Sequence, residues 1–159
     1  MNTEKGLEAR VRDLEAIHEI MNLEADYCYA ADTQQPDSYA NVFAKDGVLD
    51  VGPFGGRVTG REAIREFCRE AFPPAFAFGM HCLHNPRIVV NGDTAKGRFY
   101  WEAALTWKAT NEAVWQAGCY DDEYVKTDEG WKIKEKVITF YYFTPYDKGW
   151  VKERFIGQE

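Results

Sequence analysis

A carboxylate and a histidine in this sequence could together carry out general acid–base chemistry. Asp32 comes where the first predicted helix ends, and His81 opens the first long stretch of β-branched and aromatic residues. Histidine takes up and returns protons near neutral pH because its unperturbed pKa is about 6.5, and a neighbouring carboxylate would fix its tautomer. An Asp–His pair is therefore a candidate general base. The alternative is a helix-end carboxylate that caps a turn and a histidine with a purely structural role.

Tyr27 is a third candidate, because it precedes Asp32 by five residues on the same predicted helix. At about 100° per residue, the two side chains would point roughly 140° apart on an ideal helix. A shared pocket therefore requires the last turn of that helix to unwind. The Gln34-Gln35-Pro36 segment that follows is compatible with such unwinding.

The spacing of His81 and His84 is also found in metal sites. On a strand the two rings diverge, and no third ligand has a recognisable spacing, so we predict no metal. The sequence contains no glycine-rich dinucleotide or P-loop pattern and no Gly-x-Ser-x-Gly pattern. These nucleotide-binding and serine-hydrolase classes therefore have no support.

The far wall of the expected pocket is assigned to the last predicted strand. One face of that strand should line the pocket, and the other should pack outside or against a partner subunit. In the second long strand Tyr100, Trp101 and Glu102 alternate, and we place Glu102 on the inner face as a polar group in an apolar pocket. The residues of the last strand that share the expected inner face are Lys136, Ile138, Phe140 and Tyr142.

Helices that would position these side chains follow from hydrophobic periodicity. Apolar residues recur at three- and four-residue steps from Leu7 to about Ala31, which predicts a long amphipathic helix. A short helix is predicted over 37–43 and a third over 61–72, ended by Pro73-Pro74.

Beyond residue 80 the sequence is typical of hairpin-connected strands. Helices followed by long hairpins give an α+β domain, in which N-terminal helices pack against a curved antiparallel sheet and leave an aromatic-lined pocket. A short strand over 48–51 precedes the third helix. The long strands are predicted near 81–90, 95–108, 113–126 and 132–143, with polar or glycine-containing turns between them.

The composition indicates one folded domain over residues 1–159 and disfavours two classes of partner. The chain is 45% hydrophobic and 15% aromatic, enough to bury a core. Its net charge of −7 would repel nucleic acid and anionic membrane surfaces. Four widely spaced cysteines are expected to be free thiols, and no targeting or membrane-spanning segment is recognised, so we expect a cytoplasmic protein.

Several of these residues also carry a resemblance to a known family. Tyr27-x-x-x-x-Asp32, His81 and the closing pattern from Trp131 through Tyr142-Phe143-Thr144-Pro145 resemble the SnoaL-like branch of the nuclear transport factor 2-like superfamily. Within it the chain is most similar to small cofactor-free lyases: bile acid 7α-dehydratase, lindane dehydrochlorinase and, more distantly, scytalone dehydratase. The resemblance implies a cone-shaped α+β barrel of the cystatin-like type, no cofactor, and a homodimer or homotrimer.

Those relatives use an Asp–His pair in a conical pocket, and the resemblance assigns these roles to Asp32 and His81. It implies that Tyr27 orients substrate or stabilises developing charge. The position of the bile acid enzyme's pocket arginine holds Phe140 here, so that enzyme's substrate does not carry over. Lys136 falls near the dehydrochlorinase's arginine and would supply a cation. The motifs that echo the bile acid enzyme add three substrate-binding candidates, namely His84, Tyr100 and Glu102.

The expected function is a cofactor-independent lyase of the dehydratase type. It would act on a small hydrophobic cyclic molecule by Asp–His acid–base elimination. Two alternatives stay open, because the superfamily uses one scaffold for several functions. One is an isomerase of the ketosteroid isomerase type, and the other is a non-catalytic ligand-binding or dioxygenase β-subunit-like protein. An Asp32 carboxylate far from the His81 ring would exclude the catalytic hypothesis.

Overall fold

The computed structural model describes residues 6–156, in which helices precede a set of long strands. This order confirms the predicted α+β class. The elements are α1 (Leu7–Asp32), α2 (Pro36–Asn41), β1 (Phe43–Asp50), a 3₁₀ turn (Gly52–Phe54), β2 (Arg57–Thr59), α3 (Arg61–Ala75), β3 (Phe76–Asn91), β4 (Thr94–Trp107), β5 (Glu112–Thr127), β6 (Gly130–Pro145) and α4 (Gly149–Lys152).

The strands form one open sheet in the order β2-β1-β6-β5-β4-β3. Strands β3 to β6 pair as consecutive antiparallel hairpins, as predicted, but β1 pairs with β6 in parallel. The sheet is therefore mixed, because β1 reaches β6 through the rest of the chain and no hairpin turn sets its direction. Helix α1 contacts both β3 and β6, which have two other strands between them, so the sheet curves around the helix.

Helix α1 buries one stripe of side chains against the concave face of the sheet. Ala16, Ile20, Leu23 and Tyr27 follow at steps of four, three and four residues, and all are buried. This is the spacing that places side chains on one helix face. Glu24 is fully buried on the same helix, which requires a partner inside the core.

Helix α3 extends past the residue at which we expected it to end. Pro73 and Pro74 lie inside its last turn, and the helix continues to Ala75. Each proline lacks the N–H that would donate to a carbonyl one turn earlier, and the helix ends one residue after the pair. The chain then enters β3 at Phe76, earlier than predicted, and β1 likewise begins at Phe43 rather than at residue 48.

A β-bulge in β6 changes which side chains face the core. Ala117 pairs with Tyr142 and Gly118 pairs with Phe140, which leaves Tyr141 without a partner residue in the ladder. One extra residue reverses the alternation of side chains beyond it. Tyr142 consequently does not share the face of Phe140, contrary to our expectation.

The four cysteines are free, as predicted, and three of them are buried. Burial raises the pKa of Cys28 to about 12 and that of Cys68 to about 11, so both remain thiols at neutral pH. Among the helices of residues 6–156, none is long and apolar enough to cross a membrane.

Candidate active site

The structure brings the Asp32 carboxylate and the His81 ring into direct contact. His81 Nδ1 lies 2.6 Å from Asp32 Oδ1, and the His81 backbone N–H donates to Asp32 Oδ2 at 2.9 Å. A carboxylate only accepts, so we assign the ring proton to Nδ1. The side chains are 16% and 18% exposed, and no residue within 6–156 contacts His81 Nε2 by a hydrogen bond. The ring therefore presents an unprotonated nitrogen for a ligand.

Two features of the local chain allow the end of α1 to approach β3 this closely. The Gln34 side-chain amide donates to the Phe76 carbonyl at 2.9 Å, which ties the turn after α1 to the start of β3. Gly79 faces Asp32, and a β-carbon at that position would lie 3.3 Å from Asp32 Oδ1. A larger residue at position 79 would therefore crowd the carboxylate.

The Asp–His pair opens into a cavity of 230 Å³ with a mostly aromatic wall. The Trp101 ring lies 6.1 Å from the His81 ring, stacks on Tyr120 at 5.3 Å and meets Phe140 edge-on at 5.1 Å. Asp32 carries the one carboxyl group in this wall, and no lysine or arginine of residues 6–156 lines it. Other lining residues include Gln34, Phe54, Phe67, Phe72, Trp107, Gln116, Ile138 and Phe143.

A second depression, of 690 Å³, lies at the opposite end of the strands. Several of its charged groups are paired with each other, for example Arg61 with Glu129 at 3.0 Å. The residues that line it include no histidine, the side chain that most often serves as a base near neutral pH. The aromatic cavity is therefore the better candidate site.

Tyr27 also lines the aromatic cavity, although α1 remains helical through Asp32. The expected unwinding does not occur, yet both side chains line the same cavity. The Tyr27 hydroxyl accepts a hydrogen bond from the Tyr39 hydroxyl at 3.1 Å, so its own proton remains available. Burial raises the pKa of Tyr27 well above its ordinary value, which makes it a neutral donor.

Lys136 does not line the cavity as predicted, because it lies behind the wall. Its Nζ is 4.5 Å from the Tyr27 ring centroid and 4.0 Å from that of Tyr120. It pairs with Asp122 Oδ2 at 2.6 Å and Glu24 Oε2 at 2.8 Å, with no exposed surface. A buried ammonium requires such partners, and they draw the side chain away from the cavity.

Burial and neighbouring charges shift the pKa values of Asp122 and Lys136. Desolvation, together with the nearby Glu24 carboxylate, raises the pKa of Asp122 to about 8 despite the opposing effect of Lys136. Burial alone would lower the pKa of Lys136, but the two carboxylates raise it above its ordinary value. The Tyr124 hydroxyl lies 3.0 Å from Glu24 Oε1 and 3.1 Å from Asp122 Oδ2.

Four further predicted substrate-binding residues lie outside the cavity. His84 Nε2 and Glu102 Oε1 form an exposed pair at 3.3 Å on the outer face of the sheet. Tyr100 is 49% exposed beside Tyr141, and Tyr142 stacks on Trp150 at 5.1 Å. The expected inner position of Glu102 is wrong because buried Trp101 and Ala103, its neighbours, occupy the inner face.

Most of the cavity wall was not predicted from the sequence. Gln116 and Phe143 face each other across β5 and β6, and both line the cavity. Trp101 was noted only as a neighbour of Glu102. A polar residue among apolar ones, such as Gln116 near Val114, was a usable signal for the inner face of β5.

Comparison with known proteins identifies the family. A family model described as a SnoaL-like domain matches residues 12–137. The chain belongs to this family. Uncharacterised proteins of Mycobacterium tuberculosis (strain ATCC 25618 / H37Rv) and Mycobacterium bovis (strain ATCC BAA-935 / AF2122/97) are each 32% identical to this SnoaL-like chain over 125 residues. These matches cover 76% of it and 82% of each relative.

Several solved structures share the fold of this SnoaL-like chain. Hexachlorocyclohexane dehydrochlorinase LinA type 2 has a TM-score of 0.78 at 22% identity, with 83% of this chain and 89% of that chain covered. This likeness shows the fold alone. A protein from Novosphingobium aromaticivorans with the provisional name scytalone dehydratase has a TM-score of 0.76 at 25% identity, with 92% and 96% covered. A nuclear transport factor 2-like superfamily protein from Salmonella enterica has a TM-score of 0.74 at 21% identity, with 79% and 91% covered, and it confirms the predicted fold class.

Proposed function

We propose that this SnoaL-like protein is a cofactor-independent lyase of the dehydratase type, acting on a hydrophobic cyclic molecule. The observation that supports it best is the 2.6 Å contact between Asp32 Oδ1 and His81 Nδ1 at the wall of an aromatic cavity. This arrangement holds the ring in one tautomer, with a basic nitrogen free for substrate.

In the proposed reaction His81 Nε2 takes a proton from a carbon next to a carbonyl group. The electrons of that C–H bond form the new double bond, and the bond to the β-hydroxyl breaks. The proton on His81 then passes to the departing hydroxide, so water leaves and the enzyme returns to its starting state. Asp32 stabilises the imidazolium that exists between the two transfers.

Tyr27 would assist by donating a hydrogen bond to the oxygen on which negative charge develops. Its raised pKa keeps the proton on the phenol, so it stabilises charge without ionising. The aromatic wall excludes water and strengthens these electrostatic interactions. Histidine as general base typically contributes about 10²–10⁴-fold.

A second candidate is an isomerase, and the Tyr39–Tyr27 hydrogen bond is the observation that favours it. A donor of this kind can stabilise an enolate, whose proton His81 would return to a different carbon. Product mass separates the candidates, since dehydration removes one water and isomerisation leaves the mass unchanged.

The test is to incubate the purified protein with a panel of cyclic β-hydroxy ketones and to follow enone absorbance and product mass. We expect kcat to fall about 10²–10⁴-fold in His81→Ala. In Asp32→Asn we expect kcat to fall by a large part of that factor. His84→Ala is the matched control, because His84 also pairs with a carboxylate but lies outside the cavity. Equal turnover by the wild type, His81→Ala and Asp32→Asn would exclude the mechanism and favour a binding protein.

Assembly and location stay predictions. Exposed aromatic residues on the outer face, including Tyr100, Trp115 and Tyr141, support a homodimer or homotrimer. Light scattering after gel filtration would measure the mass in solution. The free thiols are compatible with the expected cytoplasmic location.

A further inference from the structure

Gln116 is a buried polar residue whose side chain has no partner within the protein. It is 7% exposed and lines the aromatic cavity. Within residues 6–156, its side-chain amide neither donates nor accepts a hydrogen bond. Gln34, the other glutamine of the wall, uses its amide to donate to the Phe76 carbonyl. Gln116 is therefore the glutamine whose donor and acceptor remain available to a ligand.

The amide of Gln116 faces the cavity and is not sealed in the core, since neither of its polar atoms is among the fully enclosed side-chain atoms that lack a partner. It therefore offers both a donor and an acceptor to a molecule in the cavity. Sites that carry such a group also reject ligands that lack the matching oxygen.

The position of Gln116 relative to the proposed base follows from the strand register. His81 pairs with Ala103 across β3 and β4, and Ala103 pairs with Gln116 across β4 and β5. Directly opposite residues project from the same face of a sheet. Neighbouring strands are about 4.8 Å apart, so the Cα atoms of His81 and Gln116 are separated by about 10 Å. The residue between them, Ala103, is buried, and the cavity is lined by His81 and Gln116 on either side of it.

The electrostatics of the wall restrict what kind of oxygen this can be. Among the residues that line the cavity there is no lysine or arginine, and Lys136 lies behind Tyr27 and Tyr120. Asp32 would repel a second anion. A neutral carbonyl or hydroxyl oxygen fits an amide that can both donate and accept, whereas a carboxylate would lack a counter-charge.

We propose that Gln116 binds a neutral carbonyl or hydroxyl oxygen at the end of the substrate away from the carbon that reacts at His81. The substrate class is then a cyclic molecule that carries a neutral oxygen remote from its reacting carbon, because His81 and Gln116 lie on different strands of the same wall. The inference rests on the proposed function only in treating His81 as the reacting end. Trp101 and Phe140 pack against the ring system between the two polar contacts.

The test uses three probes of one shape, naphthalene, 2-naphthol and 2,6-dihydroxynaphthalene, with dissociation constants measured by equilibrium dialysis. In the wild type we expect the diol to bind more tightly than 2-naphthol, because only the diol reaches both His81 and Gln116. Gln116→Met keeps the side-chain length and removes the amide. One hydrogen bond should make the diol bind about 2–10-fold more tightly than 2-naphthol, and Gln116→Met should abolish this gain. The same variant should bind naphthalene as tightly as the wild type or more tightly.

Leu105→Met is the matched control, since it changes the shape of the same wall without changing its polarity. It should retain the gain of the diol over 2-naphthol. The proposal is overturned if Gln116→Met retains the gain, if Leu105→Met also loses it, or if the wild type has none. A thermal melt checks that both variants are folded.

Binding and turnover give separate answers. Wild-type protein that converts none of the ketones but shows the Gln116-dependent gain would reject the lyase and keep the role of Gln116 in oxygen binding. Active protein without that gain would reject only the role of Gln116.

Discussion

Lys136 Nζ lies 2.6 Å from Asp122 Oδ2, and neither side chain has exposed surface. Glu24 Oε2 is 2.8 Å from the same ammonium and is 1% exposed. The three side chains come from α1, β5 and β6, so the cluster joins the first helix to the sheet behind the cavity wall. Each charge depends on the others, since an unpaired buried charge is strongly destabilising.

We predict that Lys136→Met destabilises the protein by about 3–5 kcal/mol, because it leaves Glu24 and Asp122 buried without a cation. Urea denaturation followed by circular dichroism measures the free energy of unfolding. Lys134→Met is the control: its ammonium pairs with Asp46 at the surface, and losing an exposed pair costs about 0–1 kcal/mol. Similar losses in both variants would contradict a structural role for the buried cluster.

A pH dependence follows from the raised pKa of Asp122, which is about 8 in the folded protein and about 3.9 when unfolded. Between these values the folded state holds a proton that the unfolded state releases. The contribution of this carboxyl to stability is thus complete below about pH 4 and is lost as the pH rises through about 8.

Asp122→Asn removes this titration while keeping the shape of the side chain. Its free energy of unfolding relative to wild type should therefore rise with pH, by at most about 1.4 kcal/mol per unit, and level off above about pH 8. Denaturant titrations at several pH values measure it. Asp121→Asn is the control, because Asp121 is an exposed carboxylate paired with Arg98. The difference between its free energy of unfolding and that of the wild type should stay constant with pH. A constant difference between Asp122→Asn and wild type would refute the raised pKa.

Phenylalanine variants of Tyr27 and Tyr39 distinguish a hydrogen bond to the substrate from the hydrogen bond between the two tyrosines. Tyr27→Phe and Tyr39→Phe both remove the 3.1 Å hydrogen bond between the hydroxyls, so each should cost about 1 kcal/mol of stability. Only Tyr27→Phe removes the proposed donor to substrate, and we expect it to lower kcat by about 10²-fold. Steady-state kinetics with a turned-over ketone measures this. Equal kcat values for the two variants would exclude Tyr27 as the donor.

Gly118 is required by the bulge in β6. A β-carbon at this position would lie 1.8 Å from the Thr139 carbonyl oxygen and 2.9 Å from Trp101 Nε1. We predict that Gly118→Ala destabilises the protein by about 3 kcal/mol or more, since the backbone must move. Gly6→Ala, where the added carbon meets nothing within 4 Å, is the control in the same denaturation assay. A small effect of Gly118→Ala would show that the bulge relaxes.

Much of the fold could be predicted because its signals are local. The first helix and the turns between the long strands depend on residues close in sequence, and both predictions are confirmed. The buried stripe of α1 differs in part from the predicted one, since Leu14 and Met21 are exposed. Asp32 and His81 were singled out for a related reason: one ends a helix and the other lies near the start of the next long strand. The tertiary structure supplies the 2.6 Å between them, and their catalytic role stays a prediction.

The sequence by itself determined the order of elements, two alternating faces on each strand, and the residue types available for acid–base chemistry. Only the tertiary structure decided which face is inside. Trp101 points inward where we expected Glu102, and the bulge at Tyr141 turns Tyr142 outward and Phe143 inward. It also decided that Lys136 is held behind the wall by Glu24 and Asp122, residues 112 and 14 positions away. The reason is physical: alternation defines two faces without orienting them, whereas burial and ion pairing depend on contacts between distant parts of the chain.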